Sequence, residues 1–250
     1  MSLTGIDPSR PMWDPAGPHC PLVFNPGSSW IYGTNIDWAG TLLERLTDQS
    51  LGVYMRENIF LPLGMVDTTF SPEDLQGNEE ALRDRTASFA YRDPDTGTLR
   101  PGPSPVHIGQ AGGAGLYSTA EDYGRFLHGL IAGELLGTEA MEMLFAPQLN
   151  GEQRAVLHTV TDMFRDAFAP EFPDRTEVDH ALGGMVNLEH VKGKRRKGSM
   201  MWSGMYHSHW VSMIPCLYEL HCLYKLNKLT QTSNSGLIGR LESPQRYSLL

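Results

Sequence analysis

Cysteine is scarce. Cys20, Cys216 and Cys222 are the three in 250 residues, too scattered to form a disulfide framework. That usage fits a reducing compartment, and the opening twenty residues, rich in Pro, Asp and Gly, contain no apolar signal core. The expected localisation is therefore cytoplasmic. No stretch approaches the roughly 18 apolar residues of a membrane span. Val211 to Tyr224 comes nearest, and Pro215, Glu219 and His221 interrupt it. Positive charge is short as well: 20 Lys and Arg against 29 Asp and Glu leave a net charge of -9. A nucleic-acid partner is a poor fit to that balance. Neither His-Glu-x-x-His nor Cys-x-x-Cys occurs, so neither a metal nor a cofactor is expected.

What is present is ordinary for a globular protein: 40% hydrophobic and 20% charged residues, enough to bury a substantial core. Residues 1–29 are broken by six prolines and read as an extended segment. From Asn35, apolar residues recur at Ile36, Ala39, Leu43 and Leu46 with helical spacing, and Asn35 or Asp37 could cap the helix. A second helix is expected over Leu51 to Phe60, ended by Pro62. Residues 71 to 115 read as loop. Ser118 and Glu121 then have the spacing of a capping box ahead of an apolar stripe at Tyr123, Phe126, Leu127, Leu130 and Ile131. Further helices are expected over Thr138 to Phe145 and Glu152 to Phe168. Ala181 to Val186, a basic turn over Lys192 to Lys197, and Ser199 to Trp210 read as strand, turn and strand. Residues 211–250 show neither clean alternation nor a helical face, and form an atypical tail.

Three segments carry a resemblance. The first is Pro26-Gly27-Ser28-Ser29-Trp30-Ile31-Tyr32-Gly33-Thr34-Asn35-Ile36-Asp37-Trp38-Ala39-Gly40, with Ile59-Phe60-Leu61-Pro62-Leu63-Gly64-Met65 behind it. The second is Gly112-Gly113-Ala114-Gly115-Leu116-Tyr117-Ser118-Thr119-Ala120-Glu121-Asp122-Tyr123, and the third Gly198-Ser199-Met200-Met201-Trp202-Ser203-Gly204-Met205. In this order they resemble the tyrosine motif, the glycine loop and the third motif of the β-lactamase-related serine hydrolases. The class C-like esterases and fungal transesterases of the lovastatin acyltransferase type are the nearest of these. The resemblance covers roughly residues 20 to 210. It implies a β-lactamase/transpeptidase-like α/β (α+β) fold, present in part as a helical lobe and some of the antiparallel sheet. Residues 30–210 would form that partial domain.

The resemblance also implies a chemistry. A serine, opening a helix as Ser-x-x-Lys, attacks an ester, thioester or amide of a small molecule and forms an acyl-enzyme. By position, Tyr32 is the proton-relaying tyrosine, acting as base and then acid. The backbone N–H of Met205 is one oxyanion donor. Thr34, Gly113, Trp202, Ser203 and Gly204 border the substrate. Thr34 stands where many relatives have the asparagine of Tyr-x-Asn, which weakens a β-lactam reading.

One departure dominates. The five lysines, Lys192, Lys194, Lys197, Lys225 and Lys228, follow Glu189, Val191, Lys194, Cys222 and Lys225 at the required spacing. No Ser-x-x-Lys exists in these residues. The expectation is a family fragment, catalytically inactive as it stands, with a non-catalytic binding role or a mis-spliced product as alternatives. Blander readings stand beside the sharp ones. Tyr32 could simply pack beside Trp30 and Trp38, Trp202 and Gly204 could belong to a plain buried strand, and the glycine run could be a tight loop. The basic turn reads as a solvated connection rather than a nucleic-acid patch. His180, His190, His207 and His209 read as ordinary residues rather than zinc ligands. Oligomeric state has no signature in the sequence.

Overall fold

The computed structural model describes residues 22–72, 85–102, 109–163, 172, 176–204, 208–212, 225–226 and 248–249. The chain divides into two compact units: Met1–Thr34 with Gly124–Ser235, and Asn35–Tyr123 with Gly236–Leu250.

The second of these begins with α1 (Asn35–Thr47) and α2 (Leu51–Met55), the latter continuing as a π-helical turn over Arg56–Phe60. Periodicity finds α1 but misplaces its buried face. Ile36 and Leu46 are exposed, in line with Trp38 and Leu42, and the inward positions are Asp37 and Gly40. The reason is a backbone approach that no apolar pattern encodes. A Cβ on Gly112 would lie 2.2 Å from the carbonyl oxygen of Ile36, so the glycine loop packs on α1 only because position 112 has no side chain. Beside it, Asp37 does not cap its own helix. Its Oδ1 accepts the N–H of Gly113 at 2.8 Å across a long sequence separation. Burial raises the Asp37 pKa above the ordinary carboxylate value, while the Gly113 N–H pulls it back. Ser50 caps α2 by accepting from Val53 N, and Leu51 and Phe60 are buried.

Within residues 71–115, a hairpin replaces the expected loop: β1 (Ala90–Arg92) pairs with β2 (Leu99–Pro101). Every residue of both strands is exposed, so no hydrophobic alternation announces them. Asp93 makes the turn, accepting from the N–H groups of Asp95 and Thr96. Next, β3 (Tyr117–Ser118) leads into α3 (Ala120–Ile131). The cap of α3 is Thr119, whose Oγ1 accepts from Asp122 N, rather than Ser118 with Glu121. Ser118 is diverted into β3, where its hydroxyl meets that of Thr68 at 2.8 Å. Asp122 accepts from Asp67 N and from the Thr68 hydroxyl.

The first unit holds α4 (Thr138–Phe145), α5 (Gly151–Met163) and an antiparallel sheet ordered β4-β5-β6-β7-β8. Its strands are β4 (Val178–His180), β5 (Met185–Asn187), β6 (Met200–Ser203), β7 (Ser208–Ser212) and β8 (Lys225–Leu226). The tail's first residues thus extend β7 past Trp210, and Val211 packs against the core. Two apolar clusters cover the sheet. Leu157, Phe172, Val178, Met185, Val191 and Met201 form one, and Phe145, Ala181, Val186 and Met200 the other. Ala181 to Gly184, expected to be strand, form the β4–β5 turn. α5 carries a reciprocal cap at its start, Asn150 and Gln153 each accepting the other's backbone N–H. Residues 164–168 of the expected helix lie outside the described residues.

The basic turn is not wholly solvated. Arg195 is buried, its guanidinium 4.8 Å from the centre of the Phe172 ring, and burial lowers its pKa to about 10. Asn187 Nδ2 donates to the carbonyls of Glu189 and Arg196 and so closes the turn.

Gly112→Ala is expected to destabilise the chain by about 3 kcal/mol, because backbone rather than a mobile side chain blocks the added methyl. Denaturant unfolding measures it; a loss within error of zero would mean the α1 contact is not the constraint. Arg154→Ala is expected to cost about 2–3 kcal/mol, since it strips the buried Asp179 of a charged partner. That figure sits below the full range because Arg154 is itself one-third exposed.

Candidate active site

The segment that presents Tyr32 is shaped by local chemistry. Asn25-Pro26-Gly27-Ser28 form a β-turn in which Ser28 N donates to Asn25 O at 3.0 Å. Proline presets the first central position, and Gly27, at φ 82°, supplies the left-handed second. Gln153 Nε2, on α5, donates to Gly27 O at 2.8 Å and fastens the turn to the helix. The chain then runs extended through Trp30, half-buried against the Leu157 cluster, to Tyr32, which is 61% exposed.

Tyr32 meets the third motif directly. Its ring stacks on Trp202 with centroids 5.9 Å apart and planes 23° from parallel. Trp202 is held at the end of β6 by pairing with Trp210 of β7. Ser203 closes β6 and Gly204 follows, both half-buried.

His180, which sequence spacing assigned no role, completes the array. It makes an edge contact with Trp202 at 5.4 Å and 75°, and a tilted one with Trp30 at 5.9 Å. No short-range pattern signals this, because β4 and β6 are brought together only through β5. Its neighbour Asp179 is fully buried. Asp179 Oδ1 accepts from Gln148 N and Leu149 N, and Oδ2 from Arg154 Nε and Nη2 at 2.7 and 2.6 Å. A buried carboxylate so satisfied holds β4 in place and with it the imidazole.

Of the remaining expected site residues, Thr34 is half-buried just before α1. Gly113 belongs to the other compact unit and donates its N–H to Asp37. Met205 lies outside the described residues, as do the side chains of His207 and His209.

Burial lowers the His180 pKa below 6.5, partly opposed by the Ala181 backbone and the Asp179 charge. An imidazole depressed in the fold binds its proton more readily when unfolded. Its contribution to stability is therefore complete above pH 6.5 and is lost as pH falls through the depressed folded value. His180→Phe keeps an aromatic edge for Trp202 and is expected to flatten this part of the stability profile. Unfolding midpoints of both proteins between about pH 5 and 8 check it; parallel curves would remove His180 as the titrating group.

Comparisons to known proteins identify the family. A family profile described as Beta-lactamase matches residues 5–216. Acyltransferase mokF of Monascus pilosus is 33% identical over 206 residues, which cover 79% of this chain and 49% of mokF. Lovastatin esterase of Penicillium rubens is 34% identical over 196 residues, covering 74% and 47% respectively. Unliganded simvastatin synthase (LovD) from Aspergillus terreus superposes with a TM-score of 0.69 at 32% identity, over 78% of this chain and 48% of that one. A penicillin binding protein from Bacillus halodurans shares the fold, with a TM-score of 0.54 at 18% identity. The chain spans about half the length of the curated relatives it matches. With its tyrosine segment stacked on its third motif, this chain belongs to the β-lactamase family and carries part of the β-lactamase/transpeptidase-like fold.

Proposed function

We propose that this chain supplies the tyrosine and third-motif side of an esterase- or transesterase-type serine active site. The site would act through an acyl-enzyme on a small-molecule ester, thioester or amide. The single observation that carries this reading is the stacking of Tyr32 on Trp202. It joins two motifs far apart in sequence and leaves Tyr32 largely exposed, open to approach by a substrate. The relatives' names point the same way: one is a lovastatin esterase and another a monacolin J acid methylbutanoyltransferase of Aspergillus terreus. In this reading Tyr32 moves the proton, Trp202, Ser203 and Gly204 border the acyl group, and the Met205 N–H faces the oxyanion. Thr34 continues the substrate rim.

The nucleophile is the missing part. These 250 residues contain no Ser-x-x-Lys, so they form no acyl-enzyme by this route on their own. The same observation favours a second reading, in which the chain binds a small molecule without turning it over. Intact mass after exposure to an activated ester is expected to show no acyl adduct; one on any serine would overturn the claim of inactivity. Fusion to the half of a relative that carries Ser-x-x-Lys is expected to give ester hydrolysis. There, Tyr32→Phe should lower kcat by about 10²–10⁴, the usual worth of a positioned acid–base group. Turnover indifferent to that change would remove Tyr32 from the reaction and leave the binding reading.

A further inference from the structure

The basic turn between β5 and β6 takes no part in the chemistry above. Lys192, Lys194, Arg195, Arg196 and Lys197 place five of the chain's 20 Lys and Arg residues within six positions. Taking those five from the net charge of -9 leaves -14 for the rest of the sequence. The turn is a concentrated positive point on an acidic chain. Its backbone is held from several sides. Val191 and Arg195 exchange backbone hydrogen bonds at 2.8 and 3.0 Å, and Lys197 N donates to His190 Nδ1 at 3.2 Å. The Arg196 carbonyl accepts from Asn187 Nδ2 and from the Ser199 hydroxyl, each at 2.7 Å. Arg195 turns inward onto Phe172, while Lys192, Lys194, Arg196 and Lys197 stay exposed. Among the described residues, no carboxylate lies within ion-pair distance of Lys192, Arg196 or Lys197. Glu189, the nearest acid in sequence, is engaged elsewhere and accepts from Glu177 N.

This arrangement suits capture of a compact anion. Because the backbone is already ordered, docking costs only side-chain freedom. At about 0.15 M salt the field of the turn decays over roughly 8 Å, so a ligand must carry its charge in a short stretch. A long polyanion or an anionic lipid surface would extend past the turn and meet repulsion from the acidic remainder. Residues 192–197 also carry no apolar side chain to anchor in a bilayer. We propose that Lys192, Lys194, Arg196 and Lys197 form a docking site for a short acidic segment of a partner protein, a run of Asp and Glu about as long as the turn. Arg196 offers a fork that takes a carboxylate through two parallel bonds, and the lysines act as point charges that demand no fixed geometry. The turn enters β6 at Met200, and Trp202 stands toward the other end of that strand, which spans about 10 Å from Met200 to Ser203. A segment docked on the turn needs nothing from Tyr32 or the acyl site.

Binding of fluorescein-labelled hexaglutamate to the full 250-residue chain, followed by anisotropy, tests the site, with hexaglutamine as the neutral control. Hexaglutamate is expected to bind and hexaglutamine not, and the affinity should fall steeply as salt is raised. Lys192→Gln together with Lys197→Gln should weaken hexaglutamate about tenfold through two lost ion pairs. Arg45→Gln together with Arg56→Gln makes the same change in net charge at exposed positions of the other compact unit. That pair should alter the affinity by less than about twofold, as screening between distant exposed charges implies. Unfolding midpoints near that of the parent would show that both paired variants are folded. No binding of hexaglutamate, or equal losses from the two pairs, overturns the docking site. So does capture of oligodeoxythymidylate or phosphatidylserine vesicles in preference to hexaglutamate, which would hand the turn to a polyanion or a membrane. A dimer in sedimentation that disappears with Lys192→Gln and Lys197→Gln would assign the turn to a second copy and overturn it equally.

Discussion

The carboxylate of Asp179 is the interaction on which the described site depends. It is fully buried, and four donors converge on it: two backbone N–H groups ahead of α5 and two guanidinium nitrogens from α5 itself. A buried charge is tolerable only when so completely satisfied, and each donor here comes from the segment that leads into or forms one helix. The effect is to fix the start of α5 against the middle of β4. From that junction the rest follows outward. β4 presents His180 to two indoles, and α5 offers Gln153 to the Pro26–Gly27 turn and Leu157 to Trp30. Tyr32, otherwise an exposed residue on an extended strand of chain, inherits its position from contacts anchored by one carboxylate.

The other compact unit uses a different device. Asp37 and Gly113 join the tyrosine-motif helix to the glycine loop by one hydrogen bond, and Gly112 permits the approach. The glycines at 112 and 113 therefore answer a packing requirement of α1. The Gly113 N–H and the bare Cα of Gly112 are already engaged inside the fold, which gives the second motif a structural meaning of its own.

Much of this could be read from sequence, and the misses share a cause. The helices α1 and α3 follow from apolar periodicity, and the stop after Phe60 from Pro62. Each motif was visible as a string, and their order gave the family. What periodicity could not supply was anything decided by a distant partner. Asp37 looked like a cap because helix starts favour aspartate, yet its acceptor role goes to Gly113. Ser118 and Glu121 had the right spacing, but Ser118 was claimed by Thr68 and Thr119 took the cap. Arg195 sat in a basic run that reads as solvated until Phe172 is brought beneath it. β1 and β2 escaped notice because both of their faces are exposed. His180 joins the site only through the order of strands in the sheet.

The bare Cα of Gly112 also bears on how such chains diverge. Elsewhere in a loop, substitutions are absorbed by small shifts of side chains, and a lineage can wander by single steps through residues of increasing size. At position 112 the first step is already closed, because what stands in the way is the carbonyl of Ile36, part of a helix that cannot retreat without breaking its own ladder. A change there requires α1 to move first. Because the obstacle is backbone, no change of side chain at position 36 relieves it, and single steps in this loop are left to positions other than 112.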